Sequence, residues 1–348
     1  MDDEANAPTL RDIADAAGVS VASVSKVLNN RSGVGEESRR KILDIAERYG
    51  YQGKTARSLH KAGVDSAAML MPAEFYSRSQ FYEDVIRGAL DEAAAHSLKI
   101  DVRLISLDSV VAEVEELLQA GKTGAIVAIG LDQPEALERI IASKLPAVLI
   151  NGMDRTMRLN SVLPDNWSAG WLATQRLLSA GHREIVHVAL PHRLSLRRRL
   201  EGFRVALEEA GIRFDPQRHV LDLSKFGVQE SQTQQVVRQA LQDGSLADAT
   251  AFFCSTDIVA LGVMQALQSS GFSVPEDFSV IGLDDIAVAL HSRPPLTTIR
   301  IDRLELGRAG IQMLMKRIAD PGANIVRVNI GVQLVERATV GPVRKTAR

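Results

Sequence analysis

Three short groups of residues come close to an enzyme or metal motif, and each lacks a part that its chemistry needs. Gly121-Lys122-Thr123 has the form of the end of a phosphate loop, but the glycine required five residues earlier is Glu116. Asp284-Asp285 offers two carboxyl groups, yet adjacent residues at a strand end usually point apart. His187 and His192 have no third metal ligand near them. We therefore expect no enzyme activity, no catalytic residue, no metal and no cofactor.

A fourth group, Val21-Ala22-Ser23 with Lys26, has side chains suited to DNA. Small side chains at the start of a helix can enter the major groove, and Val21 and Ala22 can contact a thymine methyl group. Lys26 can reach a base edge or a phosphate. The serines of the segment can reach phosphate oxygens: Ser20, Ser23 and Ser25. A small helical bundle without a DNA role remains the alternative.

The elements that must position these residues are three short helices between Thr9 and Gly50. Thr9 is a plausible N-cap for a first helix with apolar residues at helical spacing, and Gly18 ends that helix. Ser20 can cap the second helix. The third helix runs from about Glu37 to Arg48, and Gly50 supplies its C-cap.

From Asp65 onward, brief apolar runs alternate with amphipathic segments of helix length. This alternation predicts parallel sheets covered by helices, in two lobes with a ligand crevice between them. The strand candidates are Ala67–Met71, Ile100–Ile105, Ala125–Ile129, Ala147–Ile150, Ile185–Leu190, Ala251–Cys254 and Val280–Leu283. Helices are expected near 80–96, 109–120, 134–143, 167–180, 198–210, 229–242, 257–270 and 303–319.

The charge distribution fits a phosphate-binding head on a near-neutral body. The 348 residues carry a net charge of −2, whereas residues 9–61 contain 10 Lys or Arg and 6 Asp or Glu. The single cysteine, Cys254, excludes an internal disulfide and suits a reducing compartment. The acidic N-terminus has no secretory h-region, and no apolar run is long enough for a membrane helix. We expect a cytoplasmic protein that does not enter a membrane.

The head segment resembles the N-terminal signature of the Lac repressor (LacI/GalR) family. The similarity runs from Thr9-Leu10-Arg11-Asp12-Ile13-Ala14 through Gly18 to Asn29, and continues to Gly50-Tyr51 and Ala56-Arg57-Ser58-Leu59. The resemblance implies that Val21, Ala22 and Lys26 read the major groove, with Thr9, the three serines and Asn29 as further DNA contacts. It also implies a hinge helix at Ala56-Arg57-Ser58-Leu59, in which Leu59 is inserted into the minor groove.

An apolar wedge beside Arg57 is a usual way to unstack a base step, although Leu59 as an ordinary linker contact is the alternative. Three departures from the family pattern bear on the expected binding to operator DNA. Lys26 replaces the usual Arg and lacks its bidentate fork, and Gly35 replaces the Ser that usually caps the third helix. Gln52-Gly53-Lys54-Thr55 lacks the usual Pro-Asn and is one residue short, which puts the start of the hinge helix in doubt.

Further family landmarks extend through the body, including Leu178 to Arg183, Pro275 to Asp285 and Pro294 to Ile299. They imply an α/β fold class: a small all-α helix-turn-helix head, then a two-lobed periplasmic-binding-protein-like (type I) doubly wound body. Carried over by position, the residues expected to bind the effector are Phe81, Tyr82, Asn151, Arg199, Phe226, Thr256 and Asp284.

Each of these assignments has an alternative. Arg199 and Asp284 could form a structural ion pair across the lobes, and the aromatic residues could be simple core. His192, Arg193, Arg197 and Arg198 form a basic run that fits either an anionic effector or a solvated helix start, and we favour the latter.

The expected domains are a tail (1–8), a DNA-binding head (9–53), a hinge (54–63), an effector-binding and dimerisation body (64–340) and a C-terminal tail (341–348). Within the body, the N-lobe is expected at about 64–164 plus 296–319. The C-lobe is expected at about 165–295 plus 320–340. The expected partners are operator DNA, a sugar-like effector, neutral or anionic, and a second copy of the chain in a homodimer or tetramer. A purine or another small molecule is the alternative effector.

We predict a ligand-responsive transcriptional regulator, most simply a repressor. A transporter's solute-binding protein shares the body fold but needs a signal peptide and no head, and an α/β enzyme needs a catalytic constellation.

Overall fold

The computed structural model describes residues 8–28, 32–49, 64–76, 80–189, 193–224 and 230–343. The head consists of α1 (Leu10–Ala17), α2 (Val21–Leu28) and α3 (Glu36–Arg48), packed around an aliphatic core that includes Ile13, Val24 and Ile42. The three predicted helices are confirmed.

The ends of α1 follow from its flanking residues. The Oγ1 of Thr9 accepts a hydrogen bond from the Asp12 amide, and the Asp12 carboxylate accepts from the Thr9 amide, which is a capping box. These hydrogen bonds lower the pKa of Asp12. Gly18 lies in the left-handed region at φ 70°, where a glycine can end a helix without strain.

The body begins at Val64 and alternates strands with helices. Its strands are β1 (Ser66–Pro72), β2 (Lys99–Ile105), β3 (Ala125–Ile129), β4 (Ala147–Ile150), β5 (Asn160–Pro164), β6 (Ile185–Ala189), β7 (Val220–Asp222), β8 (Ala251–Cys254), β9 (Ser279–Asp284), β10 (Thr297–Ile301), β11 (Arg327–Ile330) and β12 (Val332–Val335). Its helices are α4 (Ala73–Tyr76), α5 (Gln80–Ala95), α6 (Val110–Ala120), α7 (Pro134–Ala142), α8 (Asn166–Ser179), α9 (Leu194–Glu209), α10 (Pro216–His219), α11 (Glu230–Gln242), α12 (Asp257–Ser269), α13 (Ala287–His291) and α14 (Arg303–Ala319).

These strands form two six-stranded sheets, one in each lobe. The N-lobe sheet has the order β11-β5-β4-β3-β1-β2 and the C-lobe sheet the order β12-β10-β9-β8-β6-β7. All strand pairs are parallel except β10 with β12. Strands such as β3 and β9 are buried along their whole length, as expected when helices cover both faces of a parallel sheet.

The predicted positions of two crossings between the lobes are wrong. Residues 296–319 were expected in the N-lobe, where α14 does pack against α5, but β10 pairs with β9 in the C-lobe sheet. Residues 320–340 were expected in the C-lobe, where β12 does pair with β10, but β11 pairs with β5 in the N-lobe sheet. Both strands are short and mix polar with apolar residues, so the sequence carries no continuous apolar run to mark them.

One helix pair in each lobe packs through glycines at very close range. In the N-lobe, a Cβ on Gly88 of α5 would clash with the carbonyl oxygen of Leu304 of α14. In the C-lobe, a Cβ on Gly170 of α8 would clash with the carbonyl oxygen of Arg199 of α9. The second contact fixes the backbone of Arg199 at the surface that faces the cleft. Among the described helices, none is long and apolar enough to span a membrane.

Candidate DNA interface and ligand cleft

Helix α2 presents one face of small side chains away from the head core. Val24 and Val27 are buried against the other two helices, whereas Val21, Ala22 and Lys26 are exposed. Positions i, i+1 and i+5 share one side of a helix, so these three residues form a continuous outward strip. A strip of this kind is what a helix needs in order to enter the major groove.

The hydroxyl groups predicted to contact DNA also hold the head together. The Oγ of Ser20 accepts from the Ser23 amide at 3.1 Å and lies 2.9 Å from the Ser23 Oγ, so Ser20 caps α2 as predicted. Thr9 caps α1 in the same manner, and Ser25 is half-buried on α2. A hydroxyl that accepts one bond can make further bonds, so contact with phosphates remains a prediction.

Several predicted site residues lie outside the described part of the chain. The hinge residues, the preceding Gln52–Thr55 segment and one residue from each of the two predicted sites belong to this group: Asn29, Ala56, Arg57, Leu59 and Phe226. Their assigned roles stay predictions.

Side chains from both lobes meet where the parallel strands end. Asn151 follows β4 in the N-lobe, and Asp284 is the last residue of β9 in the C-lobe. Tyr82 approaches from α5 and Arg199 from α9, and all four residues are buried. The crevice beyond the carboxyl ends of the strands is where open α/β sheets bind ligands. The sequence therefore predicted four residues that the fold brings to this cleft.

Each of the three nitrogens of Arg199 donates to a group of the C-lobe, and each terminal nitrogen carries a second N–H. Its Nε donates to Asn166 Oδ1 at 2.9 Å, its Nη1 to the Ser255 carbonyl at 2.5 Å, and its Nη2 to Asp284 Oδ1 at 3.4 Å. Arg199 and Asp284 do form a buried ion pair, as the alternative held, but the pair lies within the C-lobe and not across the lobes. The contact with Asp284 is long for a charge-assisted bond, which leaves this carboxylate free to accept shorter bonds from a ligand.

Burial governs the protonation of this pair. It raises the pKa of Asp284 to about 6, although Arg199 and Arg303 act in the opposite direction. Burial also lowers the pKa of Arg199. The carboxyl group of Asp285 points elsewhere and accepts from Arg300 and Arg337, so Asp284 and Asp285 do not form an acid–base pair. This confirms the expectation that the two side chains point apart.

Arg193 is the cleft residue that sequence reasoning assigned wrongly. It precedes α9 in the C-lobe, yet its guanidinium donates to the N-lobe: to Tyr82 Oη at 2.8 Å and to the Asn151 carbonyl at 2.7 Å. It also pairs with Asp132 at 3.2 Å and lies 4.8 Å from the centre of the Phe75 ring. Arg193 is therefore a direct link between the lobes.

The preferred interpretation of the basic run, a solvated helix start, fails for this residue, whereas Arg197 and Arg198 are exposed. The one available signal was position. Arg193 and Arg199 lie six residues apart and flank the first turns of one helix. A run of basic residues does not itself indicate which of its members is buried.

The aromatic residues divide into cleft and core. Phe75, which was not predicted, stacks on Tyr82 at 5.8 Å and lies under Arg193. Phe81 meets Tyr82 edge to face and is buried in the main hydrophobic cluster, as its alternative interpretation held. Thr256 is the N-cap of α12, and its Oγ1 accepts from the Val259 amide at 3.3 Å, which leaves its hydroxyl proton for a ligand.

Replacing Arg193 with alanine is expected to lower the free energy of unfolding by about 2–3 kcal/mol, since hydrogen bonds to a buried charge between the lobes are lost. The exposed Arg197 provides the matched control, and Arg197→Ala is expected to change the free energy by less than about 0.5 kcal/mol. Urea denaturation monitored by the fluorescence of Trp167 and Trp171 gives both values. Equal values for the two variants would contradict the link.

The motifs set aside at the start have structural roles. Gly121 is the left-handed C-cap of α6, and Thr123 Oγ1 donates to the Ala125 carbonyl. His187 stacks on Phe253, and burial lowers its pKa to about 4. Within the described ranges, no three His, Cys, Asp or Glu residues are grouped as a metal site.

Comparison with known proteins adds two matched regions. The profile described as bacterial regulatory proteins, lacI family, matches residues 9–53, and the profile described as periplasmic binding protein-like domain matches residues 174–340.

Among curated proteins, the HTH-type transcriptional repressor PurR of Haemophilus influenzae is 30% identical over 342 residues, covering 95% of this chain and 98% of its own. The ribose operon repressor of the same species is 29% identical over 327 residues, covering 91% and 93%. Among solved structures, the lac repressor dimer bound to operator and the anti-inducer ONPF shares 25% identity and a TM-score of 0.70, covering 96% of this chain and 99% of that one.

Proposed function

Because the chain belongs to the lacI family of bacterial regulatory proteins, we propose that it is a repressor that binds a pseudo-palindromic operator as a homodimer under the control of a sugar-like effector. The observation that carries the proposal is one chain holding both the exposed strip on α2 and a polar cleft between two lobes. We place the DNA-binding head in 9–53, the hinge in 54–63 and the effector-binding body in 64–340. A protein that binds operator DNA acts where that DNA lies, so the proposed location is the cytoplasm.

On the DNA side, Val21 and Ala22 contact base edges and Lys26 contacts a base edge or phosphate. Thr9, Ser20, Ser23, Ser25 and Asn29 contact the backbone. Leu59, beside Ala56 and Arg57, acts as the minor-groove wedge. Lysine is a point charge without a bidentate fork, so we expect weaker base discrimination at Lys26 than an arginine would give.

On the effector side, the cleft suits a compound with many hydroxyl groups. Asp284 accepts from hydroxyls, Arg199 donates to oxygens, and Thr256 can donate, while Tyr82 and Phe75 supply apolar faces. The Oδ1 of Asn151 is buried without a donor among the described residues, and a ligand hydroxyl would satisfy it. The name of the related ribose operon repressor points to the same class of effector.

Exposed apolar side chains on both lobes support a homodimer. Val102 and Leu104 lie on β2, the edge strand of the N-lobe sheet, and are 41% and 47% exposed. Leu290 of α13, in the C-lobe, is 55% exposed. The structural neighbour is described as a dimer bound to operator. A tetramer is the alternative assembly, and sedimentation velocity distinguishes the two.

Effector binding would act through the lobes. A ligand that bridges them shifts the population toward a closed arrangement and so changes the spacing of the two heads in the dimer. The same coupling serves induction or corepression. The alternative class is an enzyme. During incubation with sugars an enzyme would convert one of them, whereas a regulator would bind a sugar without turnover.

The test is a selection with the full-length protein from a library of random DNA duplexes. We expect an enriched motif with two-fold symmetry, and a change in its affinity of about 10-fold or more when a member of a sugar panel is added. The absence of any enriched sequence would contradict the repressor assignment. An enriched motif without symmetry would contradict the dimer.

A further inference from the structure

A cavity of about 230 Å³, lined by both polar and apolar side chains, lies between the lobes. Asn151 and Arg327 line it from the N-lobe, and Ser195 and Arg198 line it from the C-lobe. Asn166 joins the cavity to the cleft, because it lines the cavity and also accepts from Arg199 Nε. The cavity therefore continues the effector cleft toward the strand β11.

Arg327 supplies a positive charge without a carboxylate partner among the described ion pairs. Its Nη2 donates to the Asp154 carbonyl at 2.6 Å and its Nε to the Ser161 hydroxyl at 3.3 Å, and both acceptors are neutral. Burial lowers the pKa of Arg327, and the charge of Arg198 lowers it further against the pull of Asp154. The two guanidinium groups thus repel each other from opposite lobes.

Of the two acidic residues on the cavity wall, one is paired with another arginine, and the other keeps its charge and is held at the start of α8. Asp132 pairs with Arg193 and accepts from the Met153 amide. Asp165 caps α8 and accepts from the amide and hydroxyl of Ser168. Arg198 has an ion pair with Glu201 at 2.7 Å, but its side chain is half exposed, where such a pair contributes little.

Two further features of the wall point to a ligand. Asn151 is 5% exposed and lines the cavity, and its Oδ1 has no donor among the described residues. Helix α9 begins at the cavity with Leu194 and Ser195, and its N-cap residue makes no side-chain capping bond. Uncapped amides and two guanidinium groups favour an anion, whereas the amide oxygen of Asn151 needs a hydrogen-bond donor, such as a hydroxyl.

We propose that this cavity binds the anionic end of a polyhydroxylated effector, with a carboxylate or phosphate held between Arg198 and Arg327 and a hydroxyl donating to Asn151. The inference rests on the proposed function, since it extends the same effector cleft. A ligand anion held by an arginine from each lobe replaces their repulsion with attraction, so it draws the lobes together. In this proposal the basic run contributes Arg198 at the start of α9, and the distant strand β11 contributes Arg327.

Calorimetry on the full-length protein tests the proposal with matched sets of probes. Each set contains a neutral sugar, its sugar acid and its sugar phosphate: glucose, gluconate and glucose 6-phosphate, then ribose, ribonate and ribose 5-phosphate. We expect the anions of at least one set to bind at least about 10-fold more tightly than the neutral sugar. This is the gain in affinity that hydrogen bonds to a charged group typically give. Binding by the acid alone or the phosphate alone identifies the anionic group.

The variants Arg198→Gln and Arg327→Gln are each expected to weaken the binding of anions by about 10-fold more than they weaken the binding of neutral sugars. Arg204→Gln is the control, since Arg204 lies on the same helix in a surface pair with Glu208. If Arg327→Gln does not fold, Arg198→Glu decides, because charge reversal at an exposed position should abolish the preference for anions.

Anion binding that is absent, no tighter than that of neutral sugars, or unchanged in the Arg198 variants would overturn the inference. The selection of operator DNA is independent of these measurements. If a symmetric operator is found and the preference for anions is absent, only the anionic subsite fails. If no operator is found, the proposed function fails, whatever the cavity binds.

Discussion

Replacing Ala22 with glutamate is expected to lower operator affinity by at least about 100-fold. Ala22 is exposed on α2 and lies outside the head core, so the longer side chain is accommodated in the free protein. In the complex, its carboxylate would face the phosphates and base edges of the major groove, and opposed like charges cost several kcal/mol. Fluorescence anisotropy with the selected operator measures the change.

A matched control separates this local effect from the change in net charge. Ala112 is exposed on α6 in the body, so Ala112→Glu adds the same charge away from the head. We expect its operator affinity to stay within about 2-fold, because exposed charges farther apart than a Debye length are screened. Both variants should melt like the parent protein. Equal losses of affinity in both would contradict the assignment of α2 as the DNA-reading helix.

The second large effect is expected at Arg199. Removing one partner of a buried ion pair leaves the other unpaired, and Arg199→Leu should lower the free energy of unfolding at pH 8 by about 3–5 kcal/mol. The double variant Arg199→Leu/Asp284→Leu should recover a large part of that loss, since no buried charge remains. Neither variant should respond to effector. Urea denaturation and release from operator DNA measure the two properties separately.

The pH dependence has a definite sign. The pKa of Asp284 is about 6 in the folded protein and 3.8 in its ordinary state, so its contribution is full at low pH and is lost as pH rises through 6. Without Arg199, which opposes this rise, the folded pKa should be higher still. The single variant should therefore lose more stability between pH 5 and pH 8 than the double variant does. Parallel pH profiles would show that the unpaired carboxylate is not the cause.

Elements that bury a complete apolar face were predictable. Strands β3, β4 and β8 are found at the predicted residues, because continuous runs of buried aliphatic and aromatic side chains mark both their identity and their ends. Strand β7 was missed because only three residues pair at a sheet edge. Strand β5, which includes Asn160 and Ser161, was missed because its polar residues interrupt the pattern.

The cleft was predictable only in part, for a different reason. Tyr82, Asn151, Arg199 and Asp284 were found through resemblance, which transfers a position without its contacts. Whether a given arginine crosses to the other lobe depends on distances between segments far apart in sequence. Arg193 meets Asp132 across 61 residues, and Arg327 and Arg198 line one cavity from two lobes. No local pattern in the sequence encodes such a meeting.

The interleaving of the two sheets has a consequence for the order of folding during synthesis. Strands β11 and β12 are separated by Gly331 alone, yet each completes a different lobe. The N-lobe sheet is incomplete until residue 330 has been synthesised and the C-lobe sheet until residue 335, whereas the described core of the head is complete by Ala46. A nascent chain would therefore carry a folded head well before its effector cleft is complete.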